Sequence, residues 1–509
     1  MTVPRLVPTA MPGEVFRDLP ARIRDHAALR PEADALIDGA ERLSWADLAD
    51  RMDRIAGNLA AQGVGAGGVV ASLAGVTADH VALFLGTVAA GAAIAPLPVS
   101  AHPDAVARMI ANSGAALVLA DERAPEVPGT SSLPAFLGEA MRAAPLPPRS
   151  MGPDDLFDII YSSGTTGAPK GIEHDARFRD RQIARFHGLG FGPEAVTLIS
   201  TPIYSNTTLV TLVPALGTGG AVVLQRRFDE ADWLRLAEAE RVTHTMLVPV
   251  QLQRLLAHED FDRRDLSAFV AKLSTSAPLP APLKREILAR WPGRMIGIYG
   301  MTEGGVSAIL DCGAHPGKLH TVGRPVAGAE VRVIDPAGRA LPPGEVGEVV
   351  GRSPTVMLGY RGAPEATAAA IWVSPEGEPF LRTGDLGRLD ADGFLELLDR
   401  QKDVIISGGF NVFASDLEAV LLEHPAVADA AVIGVPSERW GETPLGCIAL
   451  KSDMKEHGIL DWANGRLGRT QRLSAIAVLP ELPRNAIGKV LRRELRERWA
   501  EGRLEPARV

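Results

Sequence analysis

Residues 161–171 read YSSGTTGAPKG, from Tyr161 to Gly171, and follow directly on the largely apolar run LFDII at 156–160. Such a run, closed by Ser, Thr and Gly, reads as a buried strand that passes straight into a loop. Within the loop Gly164 and Gly167 let backbone N–H groups point into one concavity, and Ser162, Ser163, Thr165 and Thr166 add hydroxyl donors. Lys170 supplies a positive charge at its end. These are groups that hold a polyphosphate. The loop is not a Walker loop, because GxxxxGK[ST] is absent.

Working outward, short apolar runs alternate with helical patterns on both sides. Ser44-Trp45-Ala46-Asp47 opens an amphipathic stretch to about Gln62, with Ser44 as N-cap and Asp47 three residues on. VVASLAG (69–75) then reads as a strand, followed by a helix from Thr77 and the strand AAIAPL (92–97). The pattern recurs at TLISTPI (197–203), GAVVLQRR (220–227) and HTMLVPV (244–250). It predicts an α/β fold with mostly parallel sheets. From Glu330 the strands alternate more openly, in EVRVIDPAGRAL (330–341) and EVGEVVGRS (345–353), which predicts an antiparallel, β-rich subdomain. Beyond Asp399, DVIISGG, SDLEAVLLEHP, VADAAVIGVP and a charged final helix suggest a small α+β domain. The expected division is 1–399 and 400–509.

Composition removes several function classes. The 509 residues are 46% hydrophobic and 23% charged, and 52 Gly with 39 Pro make the chain loop-rich without low complexity. Against 53 basic residues stand 62 acidic ones, net −9, with no basic block, so neither a nucleic-acid footprint nor a basic membrane-surface helix is expected. Cys312 and Cys447 are the only cysteines, too few and too far apart for a disulfide framework, zinc site or iron–sulfur cluster. They read as plain thiols in a reducing, cytoplasmic setting. Val81–Ala101 carries no charge over 21 residues, long enough to span a bilayer, but Gly86, Gly91, Pro96 and Pro98 punctuate it. A buried helix followed by a buried strand is expected there, with no stable membrane insertion. Neither end of the chain reads as a targeting signal or anchor, so a soluble protein is expected.

With these stretches in view, the chain resembles the adenylate-forming superfamily: acyl-CoA synthetases, peptide-synthetase adenylation domains and luciferases. YSSGTTGAPKG is similar to its phosphate loop, STSAPLP (274–280) to its adenine loop, and IYGMTEGG (298–305) to its nucleotide and magnesium motif. LRTGDLG (381–387), DRQKDVIISGGFNVFASDLE (399–418) and PRNAIGK (483–489) match its ribose, hinge and C-terminal lysine motifs, in the family's order. The resemblance implies ATP and Mg2+ as cofactors, coenzyme A as co-substrate, and a small C-terminal domain that swivels between half-reactions.

It also implies roles. Ser276, Ala277 and Pro278, with Tyr299, Gly300 and Met301, would border the adenine; Asp385 and Arg400 would hold the ribose. Thr302 would bond a phosphate oxygen and Glu303 would ligate magnesium, which keeps most of its other positions for water and phosphate. Lys489 would bridge the acid carboxylate and the α-phosphate, a task suited to a point charge on a long stem. Only eight of the 53 basic residues are lysines, and Lys170, Lys402 and Lys489 fall at family positions, Lys402 at the hinge. Gly408 and Gly409 would line the CoA tunnel; Trp440 reads equally as a CoA contact or a core aromatic. The Pro483-to-Lys489 spacing is one at which related ligases are acetylated, which makes a lysine acetyltransferase a candidate partner.

One departure bears on substrate. Where many relatives carry an aromatic–His pair, this chain has Tyr204-Ser205, followed by Asn206 and Thr207. Relatives that activate amino acids place an aspartate at this position, and Ser205 cannot pair with an ammonium. Tyr204, Ser205, Asn206, Thr207, Ile298, Met301 and Gly305 make an uncharged pocket, so a fatty, alicyclic or aromatic monocarboxylic acid is expected. Arg177, Arg181 and Arg185, downstream of the phosphate loop, are the charges that would reverse this if one reached inward. The expected activity is AMP-forming acid–CoA ligation. Its rivals are an acyl-adenylate enzyme serving a separate carrier protein and a non-catalytic nucleotide-binding relative.

Overall fold

The helix Trp45–Ala61 forms where the sequence starts it. Ser44 Oγ accepts the Asp47 N–H at 3.1 Å, and the Asp47 carboxylate accepts the Ser44 N–H at 3.0 Å. This reciprocal cap satisfies two end donors, and Leu48, Met52, Ile55 and Leu59 form one buried stripe below it. The stripe packs on the helix Ala78–Ala89, which is buried around almost its whole circumference and leads into the strand Ala93–Pro96. The uncharged stretch 81–101 is therefore core. Among the described residues no helix is long and apolar enough to cross a membrane.

The computed structural model describes the chain except residues 1–5, 12–13, 163–169, 402, 408–409, 452–457, 469–470, 486–487, 505 and 508–509. Ser163, Gly164, Thr165, Thr166 and Gly167 of the loop, Lys402, and Gly408 with Gly409 lie outside the described residues. The chain divides into two compact units, Met1–Val331 with Gly351–Leu381, and Arg332–Val350 with Arg382–Val509. These bounds differ from 399/400 because the strands Pro379–Leu389 and Leu395–Arg400 form one hairpin, with Asp385 opposite Arg400.

The first unit is built on two sheets. In the larger, Asp34–Asp38, Ala221–Leu224, Val196–Ile199, His244–Leu247, Ala271–Ser274 and Arg294–Gly300 run parallel as neighbours, and Ser307–Asp311 pairs antiparallel with the last. In the other, Leu117–Ala120, Val69–Leu73, Ala93–Pro96 and Leu156–Ser162 are parallel neighbours, and Lys170–Asp175 returns antiparallel beside the last. The fold is thus the expected mixed α/β type with mostly parallel sheets.

Two lysines in this unit are structural. Lys272 is fully buried, and its Nζ donates to the carbonyls of Trp291 (2.9 Å), Pro292 (2.5 Å) and Gly293 (2.8 Å), just past the helix Ala281–Arg290. Lys284 donates to Leu319 O at 2.8 Å and Thr321 O at 3.0 Å. Each ammonium satisfies carbonyls that would otherwise be stranded.

The second unit centres on the long hairpin Val427–Ser437 and Gly441–Leu450, with Ala475–Leu479 parallel beside its second strand. Leu417 and Leu421 of the helix Ala414–Leu422 pack on one face of this sheet, and Leu482 and Leu495 belong to a second buried cluster.

Candidate active site

The candidate residues of the first unit follow the carboxyl ends of parallel strands, where α/β sheets bind ligands. Tyr204–Thr207 follow Val196–Ile199, Ser276–Pro278 follow Ala271–Ser274, and Met301–Gly305 follow Arg294–Gly300. A side-chain contact joins two of these ends. Thr207 Oγ1 lies 2.6 Å from Ser276 Oγ, which joins the acid-pocket and adenine-loop candidates. Ser276 has φ of 76°, a left-handed conformation costly for serine and of the kind that clusters at binding sites. Tyr299 and Ile298 are half-buried near the end of their strand, and Gly300 is exposed.

The two sheets meet at Glu303. Its carboxylate is buried, and Oε1 accepts the Tyr360 hydroxyl at 2.9 Å. Lys170 Nζ sits 4.6 Å from the centre of the Tyr360 ring. Burial and the Glu303 charge push the Tyr360 phenol far up, so it stays a neutral donor. Glu303 Oε2 makes no hydrogen bond to a described residue, and no cluster of three or more metal-binding side chains occurs among the described residues. One hard oxygen ligand suits magnesium, which takes one or two carboxylates plus substrate phosphates. Gly304 and Gly305 turn the chain after Glu303 with φ of 70° and 71°. A Cβ at Gly304 would stand 2.3 Å from Thr355 O, and one at Gly305 would stand 2.6 Å from Leu381 Cβ. Met301 packs against the cluster of Ile172, Met357, Tyr360 and Leu381.

Behind the motif lies a charged network that the sequence reading missed. His174 Nε2 is 2.7 Å from the Thr302 carbonyl and Nδ1 is 2.6 Å from Asp158 Oδ1. Arg179 Nε donates to Asp158 Oδ2 at 2.8 Å, its Nη2 pairs with the same oxygen at 2.6 Å and lies 3.3 Å from His174 Nδ1, and Nη1 donates to Asn206 Oδ1 at 2.9 Å. Exposures are 0% for Asp158 and His174 and 1% for Arg179. The His174 ring thus bridges the Thr302 carbonyl and the Asp158 carboxylate inside the fold. Burial pushes the Asp158 carboxyl up, but Arg179 and His174 beside it more than reverse that and hold it below the ordinary range. The sequence signal was an aspartate inside the strand run LFDII.

Ser205 has a structural occupation. It caps the helix Asn206–Gly217, its Oγ accepting the Thr207 N–H at 3.2 Å. Tyr204 is half-buried and bonded to Ser100, and burial raises its phenol.

The remaining candidates belong to the second unit. Asp385 is buried, with Arg400 Nε 3.2 Å from its Oδ1. Lys489 lies in a tight turn: its N–H donates to Asn485 Oδ1 at 2.8 Å, and Arg484 forks onto Asp429 at 2.8 and 2.7 Å. Trp440 is 47% exposed with the Arg439 guanidinium 4.6 Å from its ring centre, so it is not a core aromatic.

Comparison with known proteins agrees with this geometry. The pattern of the AMP-binding enzyme family matches residues 23–361, and that of the AMP-binding enzyme C-terminal domain matches 416–489. The chain belongs to the AMP-binding enzyme family, within the adenylate-forming superfamily. A feruloyl-CoA synthase of Amycolatopsis sp is 32% identical over 484 residues, 93% of this chain and 97% of the relative. The fatty acid–[acyl-carrier-protein] ligase ScoC of Streptomyces coeruleorubidus is 31% identical over 497 residues, 93% and 95%. The o-succinylbenzoate CoA synthetase of Bacillus subtilis, solved with its acyl-adenylate intermediate, superposes with a TM-score of 0.84 at 30% identity, covering 94% of this chain and 98% of that one.

Proposed function

We propose that the chain is an AMP-forming acid–CoA ligase. A carboxylate oxygen attacks the α-phosphorus of ATP and the bond to the bridging oxygen breaks, giving acyl-adenylate and pyrophosphate. The CoA thiol then loses its proton, attacks the acyl carbon and expels AMP. The observation that carries this reading is the chain of contacts from half-buried Lys170 through Tyr360 to buried Glu303, formed where two sheets meet in a member of the AMP-binding family.

In this reading Ser162, Ser163, Gly164, Thr165, Thr166, Gly167 and Lys170 cradle the phosphates, with Thr302 beside them. Ser276, Ala277, Pro278, Tyr299, Gly300 and Met301 border the adenine, and Asp385 with Arg400 takes the ribose. Magnesium, when bound, offsets triphosphate charge, and Glu303 is the residue that would hold it, with Tyr360 fixing its carboxylate. Tyr204, Ser205, Asn206, Thr207, Ile298 and Gly305 line the acid. Lys489 neutralises charge at the reacting carboxylate and α-phosphate. Gly408, Gly409 and Trp440 serve CoA, and the domains 1–399 and 400–509 turn about Lys402. Acetylation of Lys489 would remove the charge the first step needs, and two buried thiols suit a cytoplasmic setting. The carrier-protein alternative keeps a specific support in the similarity to the ScoC ligase.

Pyrophosphate release across a panel of acids, with and without CoA, tests the reading. Lys489→Ala should lower adenylation by roughly 10²–10³-fold while a supplied acyl-adenylate is still converted to acyl-CoA. No pyrophosphate from any acid would refute the ligase reading, and equal loss in both half-reactions would refute the turning domain.

A further inference from the structure

The helix Ala176–His187 carries four arginines, and three are neutralised. Arg177 Nη2 lies 2.8 Å from Asp154, Arg179 forks onto Asp158, and Arg181 Nη2 lies 2.6 Å from Glu14. Two of the three arginines expected to reach a substrate are thereby occupied. Arg185 differs. Its Nη1 donates to Ser307 Oγ at 3.1 Å and its Nη2 to Thr355 Oγ1 at 3.4 Å, and no carboxylate lies within ion-pair distance among the described residues. Both hydroxyl residues are buried, and burial pushes the guanidinium down to about 10.

The position of this cation is specific. Ser307 is the cross-strand partner of Gly300, and the Thr355 carbonyl accepts the Gly305 N–H at 2.8 Å. Arg185 is thus fastened to the two residues that bracket the turn Gly300–Gly305, whose far member is a pocket candidate. Arg185 is half-buried, and a guanidinium partly withdrawn from water without a counter-charge gains from an anion arriving beside it. The Ser307 hydroxyl accepts from Arg185 and so keeps its own O–H to give. A fork of two N–H donors with a hydroxyl beside it matches a carboxylate or sulfonate.

We infer that Arg185 binds a second acidic group at the far end of the acid substrate, so that the acid carries an apolar body between two acidic ends. This rests on the acid–CoA ligase reading and revises the neutral-tailed monocarboxylate expected from the pocket stretches. Arg185 is then a specificity residue, distinct from the phosphate-binding groups.

The test pairs suberate with octanoate and terephthalate with 4-methylbenzoate, each by calorimetric binding and by pyrophosphate release, in wild type, Arg185→Gln and Arg185→Lys. Wild type should favour the diacid of at least one pair by about tenfold or more in kcat/KM. Arg185→Gln should erase that preference through KM of the acid, leave KM for ATP within about twofold, and be partly rescued by Arg185→Lys. Binding needs no turnover, so it reads the contact even if the ligase reading fails; release from the monoacids reads the ligase reading alone. If neither diacid binds wild type more tightly than Arg185→Gln, or if Arg185→Gln weakens both members of a pair equally, the inference is wrong.

Discussion

Replacing Asp158 by asparagine keeps the shape of the side chain and removes the charge that faces the buried Arg179 guanidinium and the His174 ring. The carboxylate accepts from His174 at 2.6 Å and from Arg179 at 2.8 and 2.6 Å, all three residues being at most 1% exposed. Removing one member of such a group leaves uncompensated buried charge, worth roughly 3–5 kcal/mol. The amide adds a second fault, because its N–H₂ must face a donor. Urea unfolding followed by tryptophan fluorescence should therefore place Asp158→Asn about 3 kcal/mol or more below wild type. Arg179→Met should be costly alone, and the double variant should cost less than the two summed, by about 1–3 kcal/mol. The deficit should depend on pH. The folded-state carboxyl is held below its unfolded value, so its contribution is complete above the unfolded pKa of about 4 and fades as pH falls through the folded one. The gap between wild type and variant should narrow on acidification below about pH 4. A loss under about 1 kcal/mol, or strictly additive losses, would show that the three groups do not form one electrostatic unit.

Two further outcomes follow from buried groups. Lys272→Met keeps the volume but strands the carbonyls of Trp291, Pro292 and Gly293, and should cost about 2–4 kcal/mol in thermal or urea unfolding; a change under about 0.5 kcal/mol would show that water takes the ammonium's place. Cys312 and Cys447 are fully buried with thiols pushed up to about 11 and about 12, so neither should react with an aromatic disulfide reagent until the protein unfolds.

What could be read from the sequence was what neighbours in the chain decide. The Ser44–Asp47 cap spans three residues, the helix–strand reading of 81–101 needed only its Gly and Pro punctuation, and the loop after LFDII announced itself by composition. Contacts made by distant segments were not legible. Tyr360 meets Glu303 across 57 residues, and nothing around Gly359–Tyr360 marks it as a partner. Nothing near His174 announces that Thr302 comes to lie against it. Ser205 shows the converse: the resemblance assigned it to an acid pocket, and it also caps the start of a helix. The 399/400 division marked where a self-contained run of strands and helices begins, whereas strand pairing sets Asp385 opposite Arg400 within one unit.

The carbonyl cages around Lys272 and Lys284 bear on how this protein responds to amine-reactive reagents. Of eight lysines in the chain these two are enclosed by backbone oxygens and shielded from reductive methylation or active esters while the fold holds. Lys170 and Lys489, both half-buried and both assigned here to the nucleotide, are then two of the six that remain. A reagent that is indiscriminate on most proteins becomes a reporter on this one: ATP should slow acylation at those two positions, and a mass spectrum of the labelled chain would read nucleotide occupancy directly.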